Sequence, residues 1–391
     1  MRDVTLEHAL DLARRHAVRT EAEDVPVASA AGRRLAAAVT ARADLPSADV
    51  SAMDGFAVRA ADAPGTLRVS GESAAGSPPA AAIGPGEAAR ISTGAALPQG
   101  ADAVVPVERA GEEDGGVLVP AVAAGEHVRR RGEVIERGAV LLEAGAWVAP
   151  HEVVALGSAG HASVRCRRRP RVALLATGAE LIPLGAASRA GGVWDSSRVG
   201  LAAQAAAAGA RPVAALTVGD DADETQLALE ALLDEGDEPP ELVITAGGVG
   251  GGRHDHVRAA LARIGVEEVL RGVRADPCRP VWLGRRGDQV VLGLPGNPVS
   301  AAVGFHLLGR ELLGRREDWR RRAPLARDVP SWADRADLPR CRIRDGALEP
   351  MPQQGSHAIT SLCGADAIAW VPARAGGLRA GDETAYSPLW P

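Results

Sequence analysis

Residues 241–263 read ELVITAGGVGGGRHDHVRAALAR, and no other stretch restricts the fold of this chain as much. An apolar, β-prone run at 242–245 leads into Gly247, Gly248, Gly250, Gly251 and Gly252. From His254 onward, apolar residues recur with helical spacing at Val257, Ala260, Leu261 and Ile264. The pattern predicts a strand, a glycine loop and a helix in succession. Glycines let the N–H groups of a loop approach a ligand, and a helix start adds partial positive charge, so phosphate is the expected guest. Asp255, at the expected helix start, is a candidate for holding a metal or a proton. The stretch has neither the phosphate-binding lysine of a P-loop nor the dinucleotide fingerprint. By itself it equally describes a tight turn with an acidic residue at the helix entrance.

The flanking sequence repeats the alternation. A strand over 172–176 leads to Thr177-Gly178-Ala179-Glu180, a helix over 197–208 stops at Gly209, and a strand over 212–218 leads to Gly219-Asp220-Asp221. A helix over 223–233, an acidic proline-bearing link at 234–240, a strand over 289–292 and a helix over 299–313 complete the series. Strands alternating with helices predict a doubly wound parallel α/β sheet whose ligands lie at the carboxyl ends of the strands. Glu180, Asp221 and Asp255 each follow such an end. Three carboxylates and a glycine loop on one rim suit Mg2+-assisted phosphate chemistry, although each carboxylate alone also describes a helix cap.

Around this region the patterning changes. Residues 1–40 are helical in period, with an interruption at Pro26, and 138–168 carry apolar stretches and a helical segment at 150–156. Together they are expected to form a helical/β arm. Short β-prone runs at 55–59, 66–70, 88–92, 103–108 and 116–120 predict a small β-rich domain over 41–137. The α/β domain is expected over 169–318. A basic run at 315–322 then leads to a C-terminal, barrel-like β domain over 319–391. With net charge −6 and 3% aromatics, the chain has neither the basic surface nor the stacking platform that nucleic acid requires. No apolar run approaches the eighteen residues of a membrane span, so a cytoplasmic protein is expected. Four cysteines without CxxC spacing indicate neither a disulfide framework nor a structural zinc site.

Lysine is absent and Asn297 is the only asparagine, against 46 glycines. A residue type that the chain otherwise avoids survives where geometry or chemistry needs it. Asn297 stands in Leu294-Pro295-Gly296-Asn297-Pro298. Met53 and Phe56, from three Met and two Phe in all, share the run around Asp54. Both places are candidate sites, the plainer alternatives being a turn asparagine and core packing.

Nine motifs then occur in order: SAMDGFAV (51–58), STGAALPQGADAVVP (92–106), RRRGE (129–133), VALLATGAEL (172–181), WDSSR (194–198), GDD (219–221), TAGGV with Asp255, GLPGNPVS (293–300) and QGSH (354–357). In this order the chain resembles the molybdopterin molybdenumtransferases, the MoeA and gephyrin E-domain family, over essentially its whole length. MDGFAV together with LPGNPVS is the specific part.

The resemblance implies that the α/β domain is of the molybdopterin-binding type and that the protein is a homodimer with an active site between subunits. It implies an enzyme that inserts molybdate into adenylylated molybdopterin with Mg2+-dependent release of AMP. It assigns Asp54, Glu180, Asp221 and Asp255 to catalysis, the last three also to the metal. Thr93, Thr177, Gly178, Asp195, Ser196, Gly247, Gly248, Pro295, Gly296 and Asn297 would hold the substrate, and Arg279, Pro280, Arg340 and Ser356 the oxyanion. A molybdopterin adenylyltransferase and molybdoenzyme maturation proteins are the expected partners. Two departures stand out: Asp276-Pro277-Cys278-Arg279-Pro280 where the family has Lys-Pro-Gly-Lys-Pro, and Val134 where it has Asp. They leave room for a noncatalytic or scaffolding paralogue, and the α/β domain alone for a molybdopterin adenylyltransferase.

Overall fold

A seven-stranded sheet runs in the order Arg2–Val4, Glu267–Val273, Trp282–Arg286, Gln289–Leu294, Leu242–Ala246, Arg171–Thr177, Arg211–Val218. It belongs to the first of two units in the computed structural model, which describes residues 1–391 except 114–115, 235, 237, 317–318, 375 and 390–391. That unit comprises Met1–Glu21 and Arg168–Pro391, the second Ala22–Arg167. The expected link at 234–240 and basic run at 315–322 fall partly outside the described residues.

The last four strands of the sheet are parallel, with Val172 paired to Leu242 and Leu242 to Val290, so their carboxyl ends emerge on one rim. Every residue of Leu242–Ala246 is buried. Alternate residues serve opposite faces, as strand geometry requires. Ile244, Leu174 and Leu292 pack with Leu201 and Ala205 of the Ser196–Ala207 helix. Val243, Leu175 and Val291 pack with Leu229 and Leu261 of the helices behind. Each such buried aliphatic side chain contributes about 1.5–3 kcal/mol.

The expectation of a purely parallel sheet needs correction at one edge. Trp282–Arg286 pairs antiparallel with both Gln289–Leu294 and Glu267–Val273, and Arg2–Val4 adds in parallel beyond them. The helix Leu6–Arg15 starts under a Thr5 cap, whose hydroxyl accepts from His8 N at 3.3 Å, and buries Leu6, Ala9, Leu10 and Ala13 in the core of this unit. Val18 N donates to Leu312 O at 2.8 Å. The first 21 residues therefore pack with the α/β sheet rather than in the arm. The rest of the arm does join: Ala22–Pro26 pairs antiparallel with Ser163–Arg167 over a core of Val25, Leu35, Leu156 and Val164.

In the second unit a six-stranded sheet orders Ala103–Pro106, Gly55–Val58, Glu87–Ile91, Gly65–Ser73, Gly116–Val119 and Gly111–Glu113. The C-terminal part of the first unit carries a five-stranded sheet from Arg322–Pro324 to Ala347–Pro350. A bridge between Leu325 and Leu348 brings its first and last strands together into the barrel-like form. The helix expected over 299–313 is Pro298–Gly304, a π segment Phe305–Gly309 and Arg310–Leu312. Among the described residues no helix is long and apolar enough to cross a membrane.

Candidate active site

Three loops at the carboxyl ends of the parallel strands meet on the rim. Gly178 N donates to Val218 O at 3.1 Å, and Gly247 N to Leu294 O at 3.0 Å. Gly247 has φ +94°, and a Cβ there would stand 2.7 Å from Thr177 O. Only glycine fits, and its bareness lets the glycine loop lie against Thr177. A Cβ on Gly296 would be 3.6 Å from the Gly247 Cα, so the Pro295-Gly296-Asn297 turn is the third wall. At Gly178 a Cβ would meet the Glu180 carboxylate at 2.6 Å, which shows Glu180 folded back over its own loop.

The helix after the glycine loop is Val257–Arg263, beginning three residues later than its spacing suggested. The reason is Asp255. Its Oδ2 accepts from Gly252 N and closes a turn, so the chain enters the helix only after His256, which caps nothing with its side chain. A helix of two turns supplies little dipole, and what the rim offers at this point is loop N–H groups.

The three rim carboxylates do not form one ligand set. Among the described residues no group of three His, Cys, Asp or Glu is placed to hold a metal ion. Asp221 Oδ1 accepts from Asp223 N and Glu224 N, each at 2.9 Å, at the start of the Ala222–Asp234 helix. Asp255 serves its turn. Each side chain also has an oxygen outside these bonds. Mg2+ keeps several waters and takes one or two carboxylates beside substrate phosphates, so the oxygens fit that ion as single contacts and do not form a preformed cage. Asp195 is turned inward. It is 2% exposed, and its carboxylate accepts from Arg198 N at 3.2 Å, Arg198 Nε at 2.6 Å and Thr217 Oγ1 at 2.7 Å. It caps the Ser196–Ala207 helix, beside the exposed Ser196, with its carboxylate turned into the protein.

The residues that the resemblance assigns to the oxyanion separate into a front and a back. Asn297 Nδ2 donates to Ser356 Oγ at 3.1 Å, tying the rim turn to the QGSH loop. Behind that loop lies Arg340, 1% exposed, donating from Nε to Ser361 Oγ at 3.2 Å and from Nη2 to Gly355 O at 3.4 Å. Gln354, absent from the sequence-based candidates, clamps it: Gln354 Oε1 accepts from Arg340 N at 3.0 Å and Nε2 donates to Arg340 O at 2.8 Å. Burial holds the Arg340 guanidinium below the usual arginine range, with Asp337 and Asp276 pulling the other way. Arg279 and Pro280 are exposed on the turn after Cys278. Asp337, also absent from the candidates, pairs in register with Asp276.

In the second unit Asp54 and Thr93, both exposed, are brought together: Thr93 N donates to Asp54 Oδ1 at 2.7 Å. A Cβ on Gly55 would fall 2.0 Å from Val105 O, which fixes glycine after Asp54. Phe56 is fully buried and Met53 is 38% exposed. A cavity of about 240 Å³ lined by Gln204, Ala208, Phe305 and Leu389 opens at the far end of the Ser196–Ala207 helix from Asp195. It is separate from the rim.

Three family models match consecutive parts of the chain: the MoeA N-terminal region (domains I and II) over residues 4–160, a probable molybdopterin binding domain over 173–315, and the MoeA C-terminal region (domain IV) over 322–389. Molybdopterin molybdenumtransferase 2 of Mycobacterium tuberculosis is 37% identical over 73% of each chain. Molybdopterin molybdenumtransferase of Haemophilus influenzae is 30% identical over 95% of this chain and 94% of its own. A crystal structure of a molybdopterin biosynthesis MoeA protein from Pyrococcus horikoshii OT3 superposes with a TM-score of 0.84 at 25% identity, covering 98% of this chain and 99% of the other.

Proposed function

The chain belongs to the molybdopterin molybdenumtransferase family, and from that premise we propose that it inserts molybdate into adenylylated molybdopterin, with Mg2+-dependent release of AMP. The hydrogen bond from Asn297 to Ser356 carries this reading. It joins the glycine rim, suited to a diphosphate, to the loop over Arg340, suited to an oxyanion, so both halves of the substrate pair find donors side by side.

In this reading the loop N–H groups from Gly248 to Gly251 hold the diphosphate, that of Gly247 being bonded to Leu294 O, and the exposed Ser196 and the half-buried Thr177 supply hydroxyls to it. Ser356 and the exposed Arg279 donate to the oxyanion, while Arg340 supports the loop and supplies positive potential from behind. Glu180, Asp221 and Asp255 would hold Mg2+ through single oxygens. When bound, the ion would neutralise charge on the phosphoanhydride oxygens. Asp54 and Thr93 would come from the partner subunit of a homodimer in the cytoplasm, fed by a molybdopterin adenylyltransferase and drained by molybdoenzyme maturation proteins.

The test is complementation of a strain lacking the insertion enzyme, with nitrate reductase activity as readout. Restoration supports the reading. A folded, well-expressed chain that restores nothing favours the noncatalytic paralogue, the alternative that Asp276 and the 68%-exposed Val134 support.

A further inference from the structure

Two carboxylates face one another behind the oxyanion loop, and the reaction as proposed uses neither. Asp276 of the Ala275–Asp276 strand and Asp337 of the Ala336–Asp337 strand are in-register partners of a parallel pair. Paired residues in neighbouring strands project to the same face about 5 Å apart. The backbone holds them there: Ala336 N donates to Arg274 O at 3.0 Å, Leu338 N to Asp276 O at 2.8 Å, and Asp337 N to Val371 O at 2.8 Å. Three residues past Asp337, Arg340 carries the charge that both carboxylates face, and its Nη2 donates to Gly355 O, next to Ser356.

With both carboxylates ionised, Arg340 is outnumbered before any anion arrives. Adding a dianion beside Ser356 brings a third source of negative charge against one buried guanidinium. Like charges this close relieve their repulsion by sharing a proton. Resting on the reading above, we propose that the Asp276–Asp337 pair takes up a proton as the oxyanion enters the Arg340–Ser356 pocket, so that this chain binds its oxyanion together with H⁺.

The surroundings isolate the pair. Burial, and then the neighbouring Asp276, push Asp337 up to about 6, while the Leu338 N–H, Arg340 and Arg335 pull it back. Cys278, facing Asp276, is pushed far up by burial and stays neutral, as does Cys341, pushed up to about 12. The Ala367–Trp370 strand beside Asp337 contributes no titratable group. His357 is exposed in the loop with Ser356 and is the histidine nearest to that residue in sequence.

The experiment is calorimetric titration of the full-length protein with sodium molybdate at pH 6, 7 and 8, at fixed ionic strength and in buffers of differing ionisation enthalpy. Molybdate is a dianion throughout. The wild type should take up a substantial fraction of one proton per molybdate at pH 7, and its affinity should fall by as much as tenfold per pH unit above 6. Asp337→Asn, with Asp276→Asn as second variant, should bind with little proton uptake and vary less than about twofold over the range. His357→Gln should behave as wild type. Pairing in the far-ultraviolet circular dichroism of all variants with wild type establishes that each is folded. Proton uptake lost in His357→Gln, or retained in both Asn variants, overturns the inference. Wild-type binding that is independent of pH overturns it while leaving the oxyanion site standing. Absence of molybdate binding at every pH overturns the site itself, and this inference with it.

Discussion

Asp255 holds a structural place in the glycine loop, and the proposed reaction would give it a chemical one as well. Because its Oδ2 accepts from Gly252 N, truncation to Ala would loosen the glycine loop and confound any kinetic effect by about 1 kcal/mol of lost hydrogen bonding. Asp255→Asn keeps the acceptor and removes the charge. If the proposed reaction holds, its Mg2+-dependent AMP release should drop at least tenfold, while its melting temperature stays within a degree or two of wild type. An unchanged rate would return Asp255 to turn formation alone. For Asp337 the sign of the pH effect follows from its raised value. The folded state holds the proton more tightly than the unfolded chain, so the stability it contributes is present below the ordinary carboxylate range and is lost as pH rises through about 6. Asp337→Asn should therefore raise stability at pH 8 and leave it unchanged near pH 3, by on the order of 1–3 kcal/mol. Thermal denaturation at the two pH values checks this. Asp54 and Asn297 were legible in the sequence because rare letters surround or supply them. Asp337 was not, because an aspartate in a short loop-like run gives no sign of the strand it will pair with.

At the scale of elements, the glycine loop shows which local rules held. The strand, glycine run and helix all form where the pattern placed them, within the three residues that the Asp255 turn adds before the helix. The chemistry of the loop rests on Gly247, whose φ of +94° and distance to Thr177 O admit no side chain. Gly247→Ala should cost about 2–4 kcal/mol from left-handed strain plus the close contact, read as a lower urea midpoint, and should weaken binding of the adenylylated pterin. Full stability in the variant would mean that the loop is free to move. The antiparallel edge, Trp282–Arg286 with Glu267–Val273, was hidden for a different reason. Short strands interrupted by Gly284 and flanked by arginines carry little period-2 signal, and it is pairing with the buried Gln289–Leu294 strand that fixes them.

For the whole molecule, the Arg211–Val218 strand is the sheet edge, and seven of its eight residues are exposed, Val213 and Leu216 among them. Among the described residues no strand pairs with its outer side, and an exposed apolar edge is a feature that proteins ordinarily cover, as the proposed homodimer would. Light scattering at micromolar concentration should give twice the 40.1 kDa of the chain. If Asp54 of one subunit serves Asp255 of the other, equal mixing of Asp54→Ala and Asp255→Asn proteins after subunit exchange should restore about a quarter of wild-type activity, since half of the dimers then hold one intact site of two. No recovery would place both residues of a site on one chain.

The sequence by itself determined the alternation of strands and helices, the glycine rim and the residues that could meet there, because buried aliphatic period and backbone permissiveness are local properties. Tertiary structure decided the remainder. It took Met1–Glu21 into the α/β unit, where the Leu6–Arg15 helix finds an apolar face to cover. It turned Asp195 inward as a cap, kept the three rim carboxylates from forming one cage, and set Asp276 against Asp337 beside a buried arginine. These outcomes depend on which distant segments pack together, and the charge and solvent exposure of a carboxylate are fixed only once that packing is complete.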